Sequence, residues 1–245
     1  MPRRIVAVIP ARLGSTRLPR KMLLPLAGRP LVEHVWQRLR RCKRLDGLYI
    51  ATDSAEIART AKAFGAECVM TSKRCPSGTD RVMEALEQIG AWGAVNVQGD
   101  LPFISASDVD KLASELAQSD GATVYTLARR DSGKKLPQTP HMVKVVKTED
   151  DRALYFSRSA VPFATESKPV YYEHIGVYAY PRKLLKQFVS WGPSPLERRE
   201  RLEQLRFLER GVDIRVITTT RKSLSVDTAA DLRRAAAQFR RNGSW

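Results

Sequence analysis

The sequence has few cysteines, and none is placed for chemistry. Cys42, Cys68 and Cys75 are the full set of three. An odd number without C-x-x-C spacing supports neither a disulfide framework nor a zinc site, so all three are expected to pack in a reducing cytosol. Long apolar runs are also lacking. "MPRRIVAVIP" turns from basic to apolar, but the run stops at Pro10, too soon for a signal-peptide core or a membrane span. The chain is therefore expected to be cytoplasmic, with no membrane insertion. No repeat or low-complexity segment appears, which argues against solenoid and fibrous architectures. Neither G-x-x-x-x-G-K-[ST] nor G-x-G-x-x-G occurs, so the two common glycine-rich phosphate loops are excluded. Acidic residues are short as well: 26 against 42 basic ones leave a net charge of +16. Such a surplus attracts polyanions without naming one.

What is present is a globular pattern. With 245 residues, 43% of them hydrophobic, the chain can bury a sizeable core without staples, and one domain spanning 1–245 is expected. "RIVAVIP", "GLYIAT", "ECVMT" and "GAVNVQGD" read as short buried strands. "PLVEHVWQRLRRC", "SAEIARTAKAFG" and "TDRVMEALEQIG" repeat apolar residues three and four apart, as amphipathic helices do. Their alternation predicts an α/β fold with a parallel sheet and right-handed crossovers. The second half is mixed. "ATVYTLA", "MVKVVK", "RALYFS" and "HIGVYAY" read as strands with few helices between them. "PSPLERRERLEQLRFLERG" reads as one strong helix, opened by a Ser194/Glu197 capping box with Pro195 in its first turn. "DIRVITTT" adds a strand, and a last helix is expected from about Thr228. Residues 131–140 are expected to form a flexible loop, not a domain boundary.

In an open α/β sheet, ligands bind where strands end and loops lead into helices. Three such places stand out. After the first strand, "IPARLGSTRLPRK" gathers Arg12, Arg17, Arg20 and Lys21 around Gly14 and Ser15. Backbone amides flanked by cations suit a polyphosphate, although a solvated face is the competing reading. "SGTDR" (77–81) follows the third strand, and "QGD" (98–100) ends the fourth. On local grounds Asp100 in "GDLP" can be a turn former and Asp227 a helix-entry residue. Asp53 reads as a helix cap.

Taken in order, "PARLGSTRLPRK", "ATD", "SGTDR", "NVQGDLP", "VKVV", "ALYFSR", "HIGVYAY", "PSPLE", "LEQLR" and "VDTAADL" closely resemble the 3-deoxy-manno-octulosonate (Kdo) cytidylyltransferase, or CMP-Kdo synthetase, family. The resemblance runs from about Ile5 to about Arg234. It implies a Rossmann-like nucleotidyltransferase fold with a mixed, mostly parallel central sheet and a smaller sugar-binding and dimerisation subregion. The nucleotide part would cover about 1–130, the sugar part about 140–215, and the returning strand end, metal loop and final helix 216–245. The implied reaction joins Kdo to CMP from CTP and releases pyrophosphate, for lipopolysaccharide biosynthesis. Arg12, Arg17 and Lys21 match triphosphate contacts, with Lys21 nearest the reacting phosphate; with Asp100 these are the implied catalytic residues. Pro10, Ala11, Ser77, Gly78 and Arg81 match the cytosine side. Asp100 and Asp227 match ligands of Mg2+. Gln98, Arg158, His174, Tyr178, Glu203 and Gln204 match the sugar side, with Arg158 clamping the acid's carboxylate through its planar fork. A homodimer is implied, with contacts from the second-half strands and residues 195–210.

Three positions depart from the family pattern. Arg20 stands where a small residue, often Gly, is usual, and is expected to face water. Leu101 replaces a Glu after the metal Asp. "KSLSVDT" replaces a Gly-containing approach to Asp227. A modified Kdo, such as an amino-substituted one, or another 2-keto sugar acid therefore stays open as the substrate. A nucleic-acid-binding protein is the alternative from another class, favoured by charge and by "RLRRCKR" and "LRRAAAQFRR". Against it stand the lack of a recognisable module and aromatics lying away from the basic runs, so no nucleic acid is expected.

Overall fold

The computed structural model describes residues 3–14, 18–131, 136, 138–165 and 170–242. Its elements in chain order are β1 (Ile5–Ala11), β2 (Pro25–Leu26), β3 (Arg29–Pro30), α1 (Leu31–Leu39), β4 (Leu48–Thr52), α2 (Ala55–Ala63), β5 (Glu67–Met70), α3 (Gly78–Ile89) and β6 (Gly93–Val97). Then come α4 (Ala106–Gln118), β7 (Val124–Asp131), β8 (Lys144–Lys147), β9 (Ala153–Ser157), β10 (Tyr171–Pro181), α5 (Arg182–Trp191), α6 (Pro195–Glu200), α7 (Leu205–Glu209), β11 (Ile214–Thr219) and α8 (Ala229–Asn242). Two compact units divide the chain, one of residues 1–110 with 222–245, the other of 111–221. The last helix returns to the first unit.

In the first unit β6, β1, β4 and β5 lie side by side, all parallel. Every residue of β1 and β6 is buried, which is why their sequences are continuous apolar runs and not alternating ones. Helix α3 packs on β1 and β4. Ser77 caps it by accepting from Thr79 N at 3.1 Å and Asp80 N at 3.3 Å, and Gly90 closes it in a left-handed conformation (φ 69). Helix α2 is capped by Ser54, not by Asp53 as expected. A second cluster of Leu26, Leu31, Val226, Ala235 and Phe239 seats α8 and the loop before it.

In the second unit β7 pairs antiparallel with β10 and parallel with β11, while β8 pairs antiparallel with β9 and β10. The β7–β10 register shifts between Ile175 and Tyr178, a bulge at Gly176. Helices α4 and α5 were not foreseen. The helix expected over 193–211 is two, α6 and α7. Its apolar period continues through the break, but Arg201 is left-handed (φ 54) and caps α6, with Leu202 N bonded to Glu197 O at 3.3 Å. The Ser194/Glu197 capping box is as read. Much of the expected flexible stretch, residues 132–135 and 137, lies outside the described residues.

Candidate active site

The first unit gathers most of the nucleotide-side candidates around one cleft. Pro10, Ala11, Arg12, Gly14, Lys21, Gly78, Arg81, Gln98, Asp100 and Asp227 all line it. Parallel β1 and β6 end side by side and α3 starts above them, so three turns distant in sequence open together. Gln98, expected on the sugar side, is in this group, its amide donating to Asn96 Oδ1 at 3.2 Å. Arg17, and Ser15 beside it, lie outside the described residues.

Lys21 is the centre. Its ammonium donates to Asp100 Oδ2 at 2.5 Å and to Asp227 Oδ1 at 3.1 Å. Two carboxylates 127 positions apart in sequence therefore meet at a single cation. Backbone brings them there: Val226 N donates to Asp100 O at 2.9 Å, and the Val226 side chain is fully buried in the α8 cluster. Thr228 and Asp231 cap α8 reciprocally, Asp231 N donating to Thr228 Oγ1 at 3.2 Å and Thr228 N to Asp231 Oδ2 at 2.9 Å. Gly99 lets the backbone approach Met22 closely: a Cβ there would lie 2.7 Å from Met22 Sδ, so the methionine would have to shift. Burial pushes the Asp100 carboxyl above its ordinary range; Lys21 opposes the shift and Asp227 adds to it. For Lys21 burial acts to lower the pKa, but the charges and hydrogen bonds of Asp100, then Asp227, outweigh it, and the pKa is raised. Lys21 is a fixed cation.

Arg81 is buried and committed. Its guanidinium donates to Asp53 Oδ2 at 2.9 Å and to Thr71 Oγ1, pinning the segment after β5 to the end of β4. Arg81 and Gly78 both line the cleft. Ser77 itself donates to Asp80 at 2.6 Å besides capping α3.

The sugar-side candidates other than Gln98 lie in the second unit. His174 Nε2 and Thr126 Oγ1 are 3.0 Å apart, Thr126 Oγ1 donates to Val177 O, and the His174 ring lies near Phe156 and Tyr178 at 4.9 and 5.4 Å. The bulge explains this meeting, because it sets Tyr178 opposite Thr126, two ladder positions from the partner of His174. Desolvation lowers the His174 pKa to about 3, so the ring is neutral at physiological pH. Burial, then the charge of Glu203, raises the Tyr178 phenol well above its usual value. Gln204 is buried, and its Nε2 has no hydrogen-bond partner. An orphaned buried donor costs about 1–3 kcal/mol. Arg158 donates from Nε to Glu200 O at 2.8 Å, from Nη1 to Pro140 O at 3.3 Å and from Nη2 to Arg201 O at 3.4 Å. Three of its five N–H groups are thus engaged by backbone carbonyls.

Residues 6–214 match the cytidylyltransferase family model. Among curated relatives, the 3-deoxy-manno-octulosonate cytidylyltransferase of Geobacter sulfurreducens is 39% identical, covering 96% of this chain and 99% of the relative. That of Koribacter versatilis is 44% identical over 94% and 87%. A solved structure of CMP:2-keto-3-deoxy-manno-octonic acid synthetase complexed with CTP is 36% identical, superposes with a TM-score of 0.93, and covers 98% of this chain and all of that one. The chain belongs to the CMP-Kdo synthetase family. A 4-diphosphocytidyl-2C-methyl-D-erythritol synthase from Anaerococcus prevotii, 15% identical with a TM-score of 0.64, covers 97% of this chain and 96% of its own and supports the fold alone.

Within the CMP-Kdo synthetase family, this chain's departures acquire physical content. Arg20 has φ 55, a left-handed conformation in which glycine carries no penalty. It is exposed as expected, but its side chain is bound to Glu56. Leu101 is buried, with its N–H on Gln98 O at 3.3 Å. Ser225, in the altered approach, donates to Asp227 Oδ2 at 3.3 Å. Sequence reasoning missed Asp53 as the Arg81 partner, Thr126, Glu200 and Lys144. Only Lys144 left a signal, a charged residue inside the apolar strand string "MVKVVK".

Proposed function

We propose that this chain transfers the cytidylyl group of CTP to Kdo, forming CMP-Kdo and pyrophosphate for lipopolysaccharide biosynthesis. Family membership supports the reaction class, and the convergence of Asp100 and Asp227 on Lys21 is the observation that carries the mechanism. The anomeric oxygen of Kdo bonds to the α-phosphorus, the bond to the oxygen bridging to the β-phosphate breaks, and the hydroxyl proton leaves. Charge grows on the transferred phosphoryl and on pyrophosphate, and cations fixed in advance stabilise it without reorganisation. Lys21 is the fixed cation, with Arg12 and Arg17 along the phosphate tail. The Pro10–Ala11 backbone and the Ser77–Gly78 turn hold cytosine. In the second unit Arg158 takes the acid's carboxylate, and His174, Tyr178, Glu203 and Gln204 take hydroxyls.

The two carboxylates suit Mg2+. Among the described residues no group of three or more His, Cys, Asp or Glu side chains could hold a metal, but Mg2+ ordinarily takes one or two carboxylates and completes its octahedron with phosphate oxygens and water. In support, both carboxylates converge within reach of one ammonium, that of Lys21, so they lie close enough to share a ligand. Asp100 and Asp227 would hold Mg2+ beside Lys21, where the metal would supply charge stabilisation at the phosphates.

The same reading makes the enzyme cytoplasmic and a homodimer, with CTP and Kdo as its partners and no nucleic acid. In support, Cys42, Cys68 and Cys75 are all unpaired thiols, and no described helix is long and apolar enough to cross a membrane. A second reading, a modified Kdo as acceptor, is favoured by Leu101, which presents no acidic group beside Asp100. A panel of nucleoside triphosphates and sugar acids with magnesium, scored by pyrophosphate release, tests both. Release with CTP and Kdo supports the first, and release only with an amino-substituted analogue the second. Salt-sensitive DNA binding without turnover refutes both.

A further inference from the structure

The second unit contains a charged group that the proposed chemistry does not use. Lys144 on β8 is fully buried, and its ammonium donates to Met142 O at 2.8 Å, Thr139 O at 3.2 Å and Arg158 O. Three donors meet three acceptors, the condition under which an interior ammonium is tolerated. On its own face of the sheet Lys144 stands opposite Ser157 of β9 and Glu173 of β10, while Val145 and Phe156 pair on the other face. A residue serving only to fill β8 would not need to be a lysine.

The carbonyls it gathers are informative. Thr139 and Met142 belong to the segment before β8, and Arg158 follows β9. Arg158 grips the same segment from the other side through Pro140 O, while Glu200 accepts from Arg158 N at 3.0 Å and from Ser157 Oγ at 2.6 Å. Next along the segment, Val143 O accepts from His174 N at 2.8 Å. Residues 139–143 are therefore held between two cations, with the candidate carboxylate clamp at one edge and the candidate hydroxyl partner at the other.

We infer that Lys144 is a positioning residue for the sugar-acid subsite, holding residues 139–142 and the Arg158 backbone in the geometry from which Arg158 meets the acceptor's carboxylate. The inference rests on the proposed function. Replacing the ammonium by a thioether of similar length removes three hydrogen bonds, of whose acceptors Thr139 O keeps Met142 N at 3.1 Å, and loosens the segment without touching any residue of the nucleotide cleft.

Steady-state kinetics of Lys144→Met test it, with circular dichroism to check the fold. The expected result is a rise of about tenfold or more in KM for Kdo, with KM for CTP unchanged. A general loss of structure moves both constants together, and that result, or no change in either, overturns the inference. If the variant does not fold, amide exchange in the unaltered enzyme decides: Kdo should slow exchange at residues 139–143, and unchanged exchange at saturating Kdo overturns it. An unaltered enzyme that releases no pyrophosphate from CTP and Kdo refutes the proposed function as well, which separates the two failures.

Discussion

Asp100 and Asp227 were paired by the family resemblance, and the structure brings both to the Lys21 ammonium. Asp227→Ala is expected to abolish pyrophosphate release while the thermal midpoint stays nearly unchanged, since Thr228 and Asp231 cap α8 without it. A large stability loss with activity retained would return Asp227 to a helix-entry role. Arg20 offers a converse case. A left-handed non-glycine residue costs roughly 1–2 kcal/mol, and an exposed ion pair such as Arg20–Glu56 returns at most about 1 kcal/mol. Arg20→Gly should therefore be neutral or slightly stabilising in urea unfolding. His174 has a pKa of about 3 when folded and 6.5 ordinarily, so below pH 6.5 the unfolded chain binds the proton first. Its contribution makes stability fall as pH drops from 6.5 toward 3, and His174→Gln should flatten that slope in unfolding measured across this range. Arg81, matched to the cytosine side, lines the cleft and is held by Asp53, 28 positions away, a partner that only the fold brings to it.

At the scale of elements, strands and helices with a clean period were legible, and those whose geometry depends on one unusual residue were not. β1, β4, β5, β6 and α1 to α3 follow their apolar spacing. The break between α6 and α7 does not, because Leu196, Leu202, Leu205 and Leu208 keep a helical spacing across a left-handed Arg201. The bulge in β10 was likewise hidden in "HIGVYAY", where Gly176 was its one sign. "LEQLR" read as a sugar-side motif, yet its arginine is structural. Arg206 donates to Glu197 at 2.7 and 2.6 Å and to Phe188 O at 3.0 Å, tying α5, α6 and α7 together in a buried pair. Arg206→Met leaves the Glu197 carboxylate buried and uncompensated and should cost about 3–5 kcal/mol. Thermal unfolding checks this, and a change below about 1 kcal/mol would mean the pair behaves as a surface one.

For the whole molecule, the net charge of +16 was the least informative number in the sequence. Much of it sits on exposed helix ends, as at Arg40, Arg41, Lys43, Arg44, Arg240 and Arg241, where cations also meet the negative end of the helix dipole. The charge that matters to the proposed chemistry is small and local: one buried ammonium between two carboxylates. Neither composition nor local spacing could rank that site above the surface arginines; the ordered set of motifs and the fold together did. The most direct measurement is magnesium-dependent pyrophosphate release from CTP and Kdo by the unaltered enzyme and by Asp100→Asn and Asp227→Asn. The account predicts release that needs both substrates and the metal and is lost in each variant while CTP-free stability is kept. Undiminished release in either variant, or release indifferent to magnesium, would contradict it.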